Sequence, residues 1–362
     1  MARLQTPICA RLGIEYPVLQ AGMGWVARAD LAAAVSAAGG LGVIGAGSTM
    51  TRDELRSDIR RVRALTDKPF GVDILFATIG GKGGELGVAS SGASVAARPS
   101  PGTPPGQGGE ARDDVTRISQ YTNAVQQMID VVLDERVPVL ISGLGSPAAV
   151  IPAARERGIY VMSVVGAVRH AIKAVADGVD AVIASGMDGG GHVGSIGTAA
   201  LVPAVVDAVK VPVIAGGGLA DGRGLAAALA FGAQGVWMGT RFIATPESRS
   251  HQNFKRKIVD TEVAGTTVTR AHSGKPCRLI ANDFTRSWIG REKEIKPFPL
   301  QALEVGHAAS EVGRLEGDVE NGVLPTGQSC GLIADVVPAG EVVRRVVDEA
   351  LTAMKRMRAL GG

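Results

Sequence analysis

Eight short, almost continuously apolar runs recur along the first two-thirds of this chain, separated by segments of helical character. The runs are Pro17–Gln20, Leu41–Ile44, Phe70–Leu75, Val139–Ser142, Tyr160–Val164, Ala181–Ala184, Pro212–Ala215 and Val236–Gly239. A strand with one wet face alternates apolar and polar residues, whereas a strand covered on both faces does not. These runs therefore read as parallel strands lying between other layers. Helices are expected over 29–38, 52–65, 119–136, 147–157, 168–177, 199–209 and 222–232. Asp30, Thr51, Ser146 and Asp221 stand near the helix starts, and Gly39, Gly158, Gly178 and Gly232 near the ends. Those are the places where side-chain acceptors and left-handed glycines satisfy unpaired backbone groups. Eight such units predict an α/β fold of (β/α)8 TIM-barrel type, with an open doubly wound sheet as the alternative.

Two segments interrupt the rhythm. Between Ile79 and Glu110, 18 of 32 residues are Gly, Pro or Ser, too few apolar groups to order themselves. Residues 79–110 are therefore expected to be a flexible insertion after the third strand, emerging on the face where barrel enzymes carry their chemistry. After Thr240 the strand–helix period is lost and charged runs appear (EKEIK, RLEGDVE). The domain expectation is a barrel over 1–243, a small, mainly helical appended region over 244–323 on the substrate side, and a segment over 324–362 packing back on the barrel.

Composition excludes several classes. The net charge of +3 carries no field for nucleic acid, and three scattered cysteines (Cys9, Cys277, Cys330) make neither a disulfide framework nor a zinc site. Leu31–Thr51 is long enough to span a bilayer, but its glycines divide it into a helix, a break and a strand, so it reads as buried core. With no apolar signal core in MARLQTPICARLGIEYPV, a cytoplasmic protein is expected. No metal is expected. Partners reduce to a small-molecule substrate, without nucleic acid or membrane, and a homodimer is left open.

The strongest local signal is VPVIAGGGLADGRGLAAALAFGAQGVWMGTRF, residues 211–242. Gly216–Gly218 end one strand, Asp221 opens a helix, and Met238-Gly239-Thr240 end the next strand. Glycines let backbone N–H groups approach a phosphate, and the loops after strands seven and eight of a barrel commonly hold one. A second signal is SGMDGGGHVG, residues 185–194, after the sixth strand. His192 stands there among glycines that leave its ring room to face a ligand and move a proton near neutral pH. Asp188 either orients it or caps a turn. His170, His251, His272 and His307 are read as structural. After the first strand, the backbone of Ala21–Gly24 can lie against a flat ring, with the soft side chain of Met23 beside it. Gly143-Leu-Gly145-Ser-Pro-Ala148 imitates a dinucleotide fingerprint, but the next strand ends without the carboxylate that fingerprint needs.

Taken in order, YPVLQAGMGWVA, KPFGVDI, SGMDGGGHVG, the 211–242 run and GQSCGLI resemble the nitronate monooxygenase (2-nitropropane dioxygenase-like) family. They equally resemble its sister group, the FMN-dependent enoyl reductases of fatty-acid synthesis. The resemblance extends over most of the chain outside 79–110. It implies FMN in the barrel mouth, with Gly217, Gly218, Gly239 and Thr240 at the phosphate and Trp237 and Met238 leading to them. Ala21, Gly22, Met23 and Gly24 would border the isoalloxazine, Asp73, Ser185, Gly190 and Gly191 would lie near it, and His192 would be the active-site histidine. Asp73, Ser185 and Trp237 stand where the family usually has asparagine, glutamine and glutamine. The implied reaction is oxidation of alkyl nitronates with O2, His192 serving as acid or base. The alternatives are an NAD(P)H-dependent reductase of enoyl thioesters or quinones, with NADH or NADPH as co-substrate, and a non-catalytic flavin-binding module.

Overall fold

The computed structural model describes residues 4–47, 49–76 and 107–360, except for the side chains of 107–113 and 115. A short helix, α1 (Pro7–Leu12), precedes the first strand–helix unit, β1 (Val18–Gln20) with α2 (Ala29–Ala37). Next come β2 (Gly42–Ala46) with α3 (Arg52–Leu65), β3 (Phe70–Leu75) with α4 (Gln107–Asp134), and β4 (Val139–Leu144) with α5 (Ile151–Glu156). β5 (Tyr160–Val165) leads to α6 (Val168–Asp177), and β6 (Ala181–Ser185) to α7 (Thr198–Ala208) by way of a two-residue strand, β7 (Gly191–His192). β8 (Val213–Gly216) with α8 (Gly222–Ala230) and β9 (Val236–Met238) with α9 (Thr240–Ile243) complete the series.

The eight long strands pair in parallel in the order β1-β9-β8-β6-β5-β4-β3-β2, and a parallel bridge between Leu19 and Leu41 joins the two ends. The sheet is thus a TIM barrel, as the continuous apolar runs predict. Alternate residues divide the core. Val18, Ile44, Val72, Leu140 and Val182 face the helices, while Leu19, Val43, Ile141, Met162, Ile183 and Ile214 fill the barrel. Ile8, Cys9 and Leu12 of α1 pack into that inner cluster. Thr51 and Asp221 cap α3 and α8 as expected, the former in a reciprocal capping box with Glu54. Ser146 instead receives the Ala148 N–H in the turn before α5. The stretch of bilayer-spanning length is α2 and β2, and among the described residues no helix is long and apolar enough to cross a membrane.

One boundary differs from the sequence reading. α4 starts at Gln107, so residues 107–110 belong to a helix; the remainder of the expected insertion, 79–106, lies outside the described residues. Loop-forming composition cannot reveal a helix that is extended backwards from a strongly periodic segment. The region after α9 is mainly helical, as expected, but adds two strands. Beside α10 (Gln252–Val259), α11 (Asp283–Arg286) and α12 (His307–Glu311) it holds β10 (Thr266–Thr269) and β11 (Cys277–Ile280). These pair antiparallel, and β11 also pairs with β7, with Cys277 opposite His192. The runs TTVT and CRLI are β-favouring but too short to stand out from a charged background. π-helical turns at Ala302–Gly306 and Val312–Glu316 flank α12. The last helix, α13 (Ala339–Leu360), lies along α8 and α2 and buries Val342, Val343, Val346, Val347 and Ala350 against the outer layer.

The seam between β1 and β2 has few ladder bonds. Gln20 N donates to Leu41 O and Leu41 N to Val18 O. Beyond them the fully buried Gln20 side chain takes over, accepting from Val43 N at 2.9 Å and donating to Val43 O at 3.0 Å. Gln20→Met would keep the volume and strand both Val43 groups without partners. We expect a loss of about 2–4 kcal/mol of unfolding free energy by denaturant titration; a change below about 0.5 kcal/mol would show that the seam does not rely on this amide.

Candidate active site

The carboxyl ends of the eight barrel strands converge on one pocket. Its walls come from Ala21–Val26, Gly47, Asp73, Gly143, Val164, Ser185, Gly189–His192, Gly217–Leu219, Trp237, Gly239 and Thr240. Tyr121 of α4 and Phe298, His272, His307 and Arg314 of the appended region also line it, forming a roof. Every site residue singled out from the sequence borders this pocket except Met238. Strand alternation turns Met238 outward into the core between β9 and the helices, so only its neighbours Trp237, Gly239 and Thr240 reach the mouth.

On the phosphate-type side, Gly217 and Gly218 have left-handed φ angles of 94° and 69°. A Cβ on Gly218 would lie 2.9 Å from that of Asp188, so this turn tolerates only glycine on both counts. Thr240 Oγ1 accepts from Gly327 N at 2.9 Å, which ties the GQSCGLI segment to the mouth and leaves the hydroxyl proton free to donate elsewhere. Across the pocket, Asp73 is wedged between glycines: a Cβ on Gly22 would fall 2.2 Å from its Cβ, and one on Gly143 would fall 2.6 Å from its Oδ1. That Oδ1 is buried without a hydrogen-bond partner. Burial pushes the Asp73 pKa well above the usual carboxylate value, opposed only in part by the Gly143 backbone N–H. The carboxyl is held towards its neutral, donating form.

His192 lies on β7, held by the backbone pairing with β11. Its Nε2 is 2.8 Å from Ser273 Oγ, and no described residue hydrogen-bonds Nδ1. His272 stacks beside the ring with centroids 6.1 Å apart, and Phe298 meets it edge-on at 6.4 Å. His192 lines both this pocket and an adjoining cavity. Burial, with Lys275 and Arg314 nearby, lowers its pKa to about 4, so the imidazole is neutral at pH 7. Asp188 does not orient it; its Oδ2 accepts from Thr198 N at 2.7 Å at the start of α7.

Sequence reasoning missed the roof. His272 and His307, read as structural, both line the pocket, and burial lowers both pKa values. His272 bridges Cys277 Sγ at 3.5 Å and Ser310 Oγ at 3.3 Å. The Cys277 thiol is pushed up to about 12 by burial, which removes it as a nucleophile at neutral pH. Trp25 takes a left-handed φ of 76°, a strained conformation at the pocket wall. Arg314 opens the charged run RLEGDVE, yet it is only 8% exposed. No local pattern marks such a residue, because its burial depends on a roof assembled from distant segments.

The sequence also matches the family model described as nitronate monooxygenase, over residues 5–94 and 102–349. The chain belongs to the nitronate monooxygenase family. One curated relative, a (3aS,4S,5R,7aS)-5-hydroxy-7a-methyl-1-oxo-octahydro-1H-indene-4-carboxyl-CoA dehydrogenase of Mycobacterium tuberculosis, is 33% identical over 397 aligned positions, covering 99% of each chain. A nitronate monooxygenase of Paraburkholderia phytofirmans is 33% identical over 361 positions, covering 96% of this chain and 95% of its own. Among solved structures, FabK from Thermotoga maritima is similar with a TM-score of 0.81 and 36% identity, covering 99% of both chains. This member of the nitronate monooxygenase family is accordingly an enzyme, and an oxidoreductase.

The neutral His192 has a consequence for stability. Its folded pKa, about 4, lies below the free value near 6.5, so between these values the unfolded chain binds more protons. The stability this ring contributes is complete above pH 6.5 and is lost as pH falls towards 4. Comparing wild type with His192→Gln, we expect the wild-type advantage in unfolding free energy to shrink by about 1–2 kcal/mol between pH 7 and pH 5. A pH-independent difference would show that the ring titrates as freely in the fold as in the unfolded chain.

Proposed function

We propose that this enzyme is an FMN-dependent oxidoreductase that oxidises small alkyl nitronates, and that His192 is its acid–base group. FMN fits the residues present. The left-handed Gly217–Gly218 turn with Gly239 and Thr240 would hold the phosphate, and the backbone of Ala21–Gly24 would border the ring. The unpartnered Asp73 Oδ1 calls for a ligand donor or acceptor, and Gly24, Gly190, Gly191 and Ser185 add only low walls around that space. A Cβ at Gly24 or Gly191 would meet nothing within 4 Å, as befits positions facing a cofactor. When bound, FMN supplies the electron acceptor and the route to dioxygen.

The chain's own residues supply position and proton handling. With Nε2 engaged by Ser273, Nδ1 is the ring atom available to substrate, and a neutral imidazole can accept a proton there at neutral pH. It would take the α-proton of a neutral nitroalkane, yielding the nitronate in place. The roof of Tyr121, Phe298 and His272 would limit the access of water to this transfer. The observation carrying the proposal is the neutral, half-partnered His192 at the mouth of a barrel of this family.

His192→Ala should retain FMN, because the contacts assigned to it come from other loops. Turnover of neutral nitroethane should fall about 10²–10⁴-fold, while turnover of preformed ethyl nitronate falls less. Equal losses on both substrates would contradict proton transfer at His192.

One observation favours a second reading. Another cavity shares Gly143, Val164, Ser185 and His192 with the pocket and runs outward past His170, Lys173 and Lys275. Such a side channel, in which Lys173 is paired with Asp177 and Lys275 stands near His192, suits a long phosphate-bearing tail, as in an enoyl thioester reductase that takes NADH or NADPH, and one relative acts on a CoA thioester. Anaerobic mixing of the holoenzyme with NADH or NADPH separates the readings: rapid flavin bleaching favours the reductase, and bleaching by a nitronate alone favours the oxidase chemistry.

A further inference from the structure

Arg314 is a buried cation without an anion. Its Nη1 donates to Gly24 O at 3.0 Å and its Nε to Val323 O at 3.4 Å, while Nη2 has no partner among the described residues. No carboxylate of the described residues forms an ion pair with it. Of the two other buried guanidinium groups among the described residues, Arg241 pairs with Asp335 at 3.0 Å, and Arg278, which does not line the pocket, donates to Met187 O and Thr266 Oγ1. A desolvated charge is costly unless it is paired, and folds seldom keep one without use.

The surroundings make the charge more conspicuous. Arg314 lines the same pocket as His192, His272 and His307, and its field acts on all three. Burial keeps those rings neutral, and Asp73 on the opposite side is held towards its neutral form. Burial brings Arg314 itself down only to about 10, so it remains charged at neutral pH. The lumen therefore holds one fixed positive charge and no compensating negative one among the described residues. Its two bonded nitrogens fix the guanidinium between the loop after β1 and the roof. The bare Nη2 is the remaining donor.

We propose that Arg314 is the substrate-recognition residue of this site, binding the negatively charged end of a small planar oxyanion of the nitronate type. This deepens the nitronate reading and rests on it. It assigns a different task to each residue: His192 handles a proton, and Arg314 selects for charge. A nitronate spreads its charge over two oxygens, which matches a guanidinium better than a point charge does. Neutral nitroalkanes would gain little from Arg314, so the enzyme would favour the ionised form of its substrate.

The test uses the FMN-loaded enzyme and nitrate, a planar oxyanion that cannot be turned over as a nitronate, with nitroethane as the uncharged companion. Binding is read from flavin absorbance and by calorimetry for wild type, Arg314→Lys and Arg314→Gln. Glutamine can keep a hydrogen bond to Gly24 O without the charge. We expect Arg314→Gln to bind nitrate about ten- to a hundredfold more weakly, with nitroethane affinity, FMN content and melting temperature little changed. Arg314→Lys, which keeps the charge without the planar fork, should bind nitrate with an affinity between those of wild type and Arg314→Gln. In wild type, nitrate should also slow modification of Arg314 by phenylglyoxal, a measurement that stands even if a variant fails to fold. Wild-type nitrate affinity in Arg314→Gln, equal losses for nitrate and nitroethane, or no protection from phenylglyoxal would overturn the proposal. So would a lowered FMN content or shifted flavin potential with nitrate binding intact, since Arg314 would then serve the cofactor. If nitrate binding depends on Arg314 but no nitronate is turned over, the reaction assignment fails and the anion site stands.

Discussion

The whole active site depends on the closure of the barrel between its first and second strands, where the Gln20 side chain stands in for a ladder. A closed parallel barrel aligns eight strand ends around one mouth, so short loops can place residues distant in sequence on a common lumen. The Gln20 amide satisfies both backbone groups of Val43. The loop that follows, Ala21–Val26, then lies against β2 and forms one wall of the pocket. Glycines complete the arrangement by removing bulk where elements must touch, as at Gly22 and Gly143 on either side of Asp73.

What the mouth can do is set by its roof. β11 and the turns around α12 cover the strand ends, and β11 pairs directly with the strand that bears His192. Their chemistry follows from desolvation. The same burial keeps His192 neutral and able to take a proton, moves Asp73 towards its protonated form, and silences the Cys277 thiol. Arg314 alone of the lining groups resists, because a guanidinium holds its proton even when buried. A proton acceptor beside a fixed cation follows from one physical cause acting on different side chains.

Much of this was legible in the sequence, for identifiable reasons. Doubly covered strands leave continuous apolar runs, and Phe70–Leu75 and helix 168–177 were readable to the residue. Glycine loops at strand ends located His192, Gly217 and Gly218, since each is a local pattern tied to a local geometry. Other features had no local trace. Met238 was grouped with its neighbours although strand alternation turns it to the other face. Ser273, His272 and Arg314 reach the pocket through tertiary packing, and in sequence they resemble any polar residue of a charged segment. The start of α4 fell in a glycine-rich stretch whose composition concealed it.

The FMN proposal rests on a barrel mouth with a single phosphate-sized cradle, the left-handed Gly217–Gly218 turn with Gly239 and Thr240. The most direct measurement is the identity of the cofactor released when the purified protein is denatured, resolved by chromatography and counted per chain. The account predicts FMN alone, approaching one equivalent after reconstitution. Release of FAD, or failure to take up any flavin on reconstitution, would contradict it.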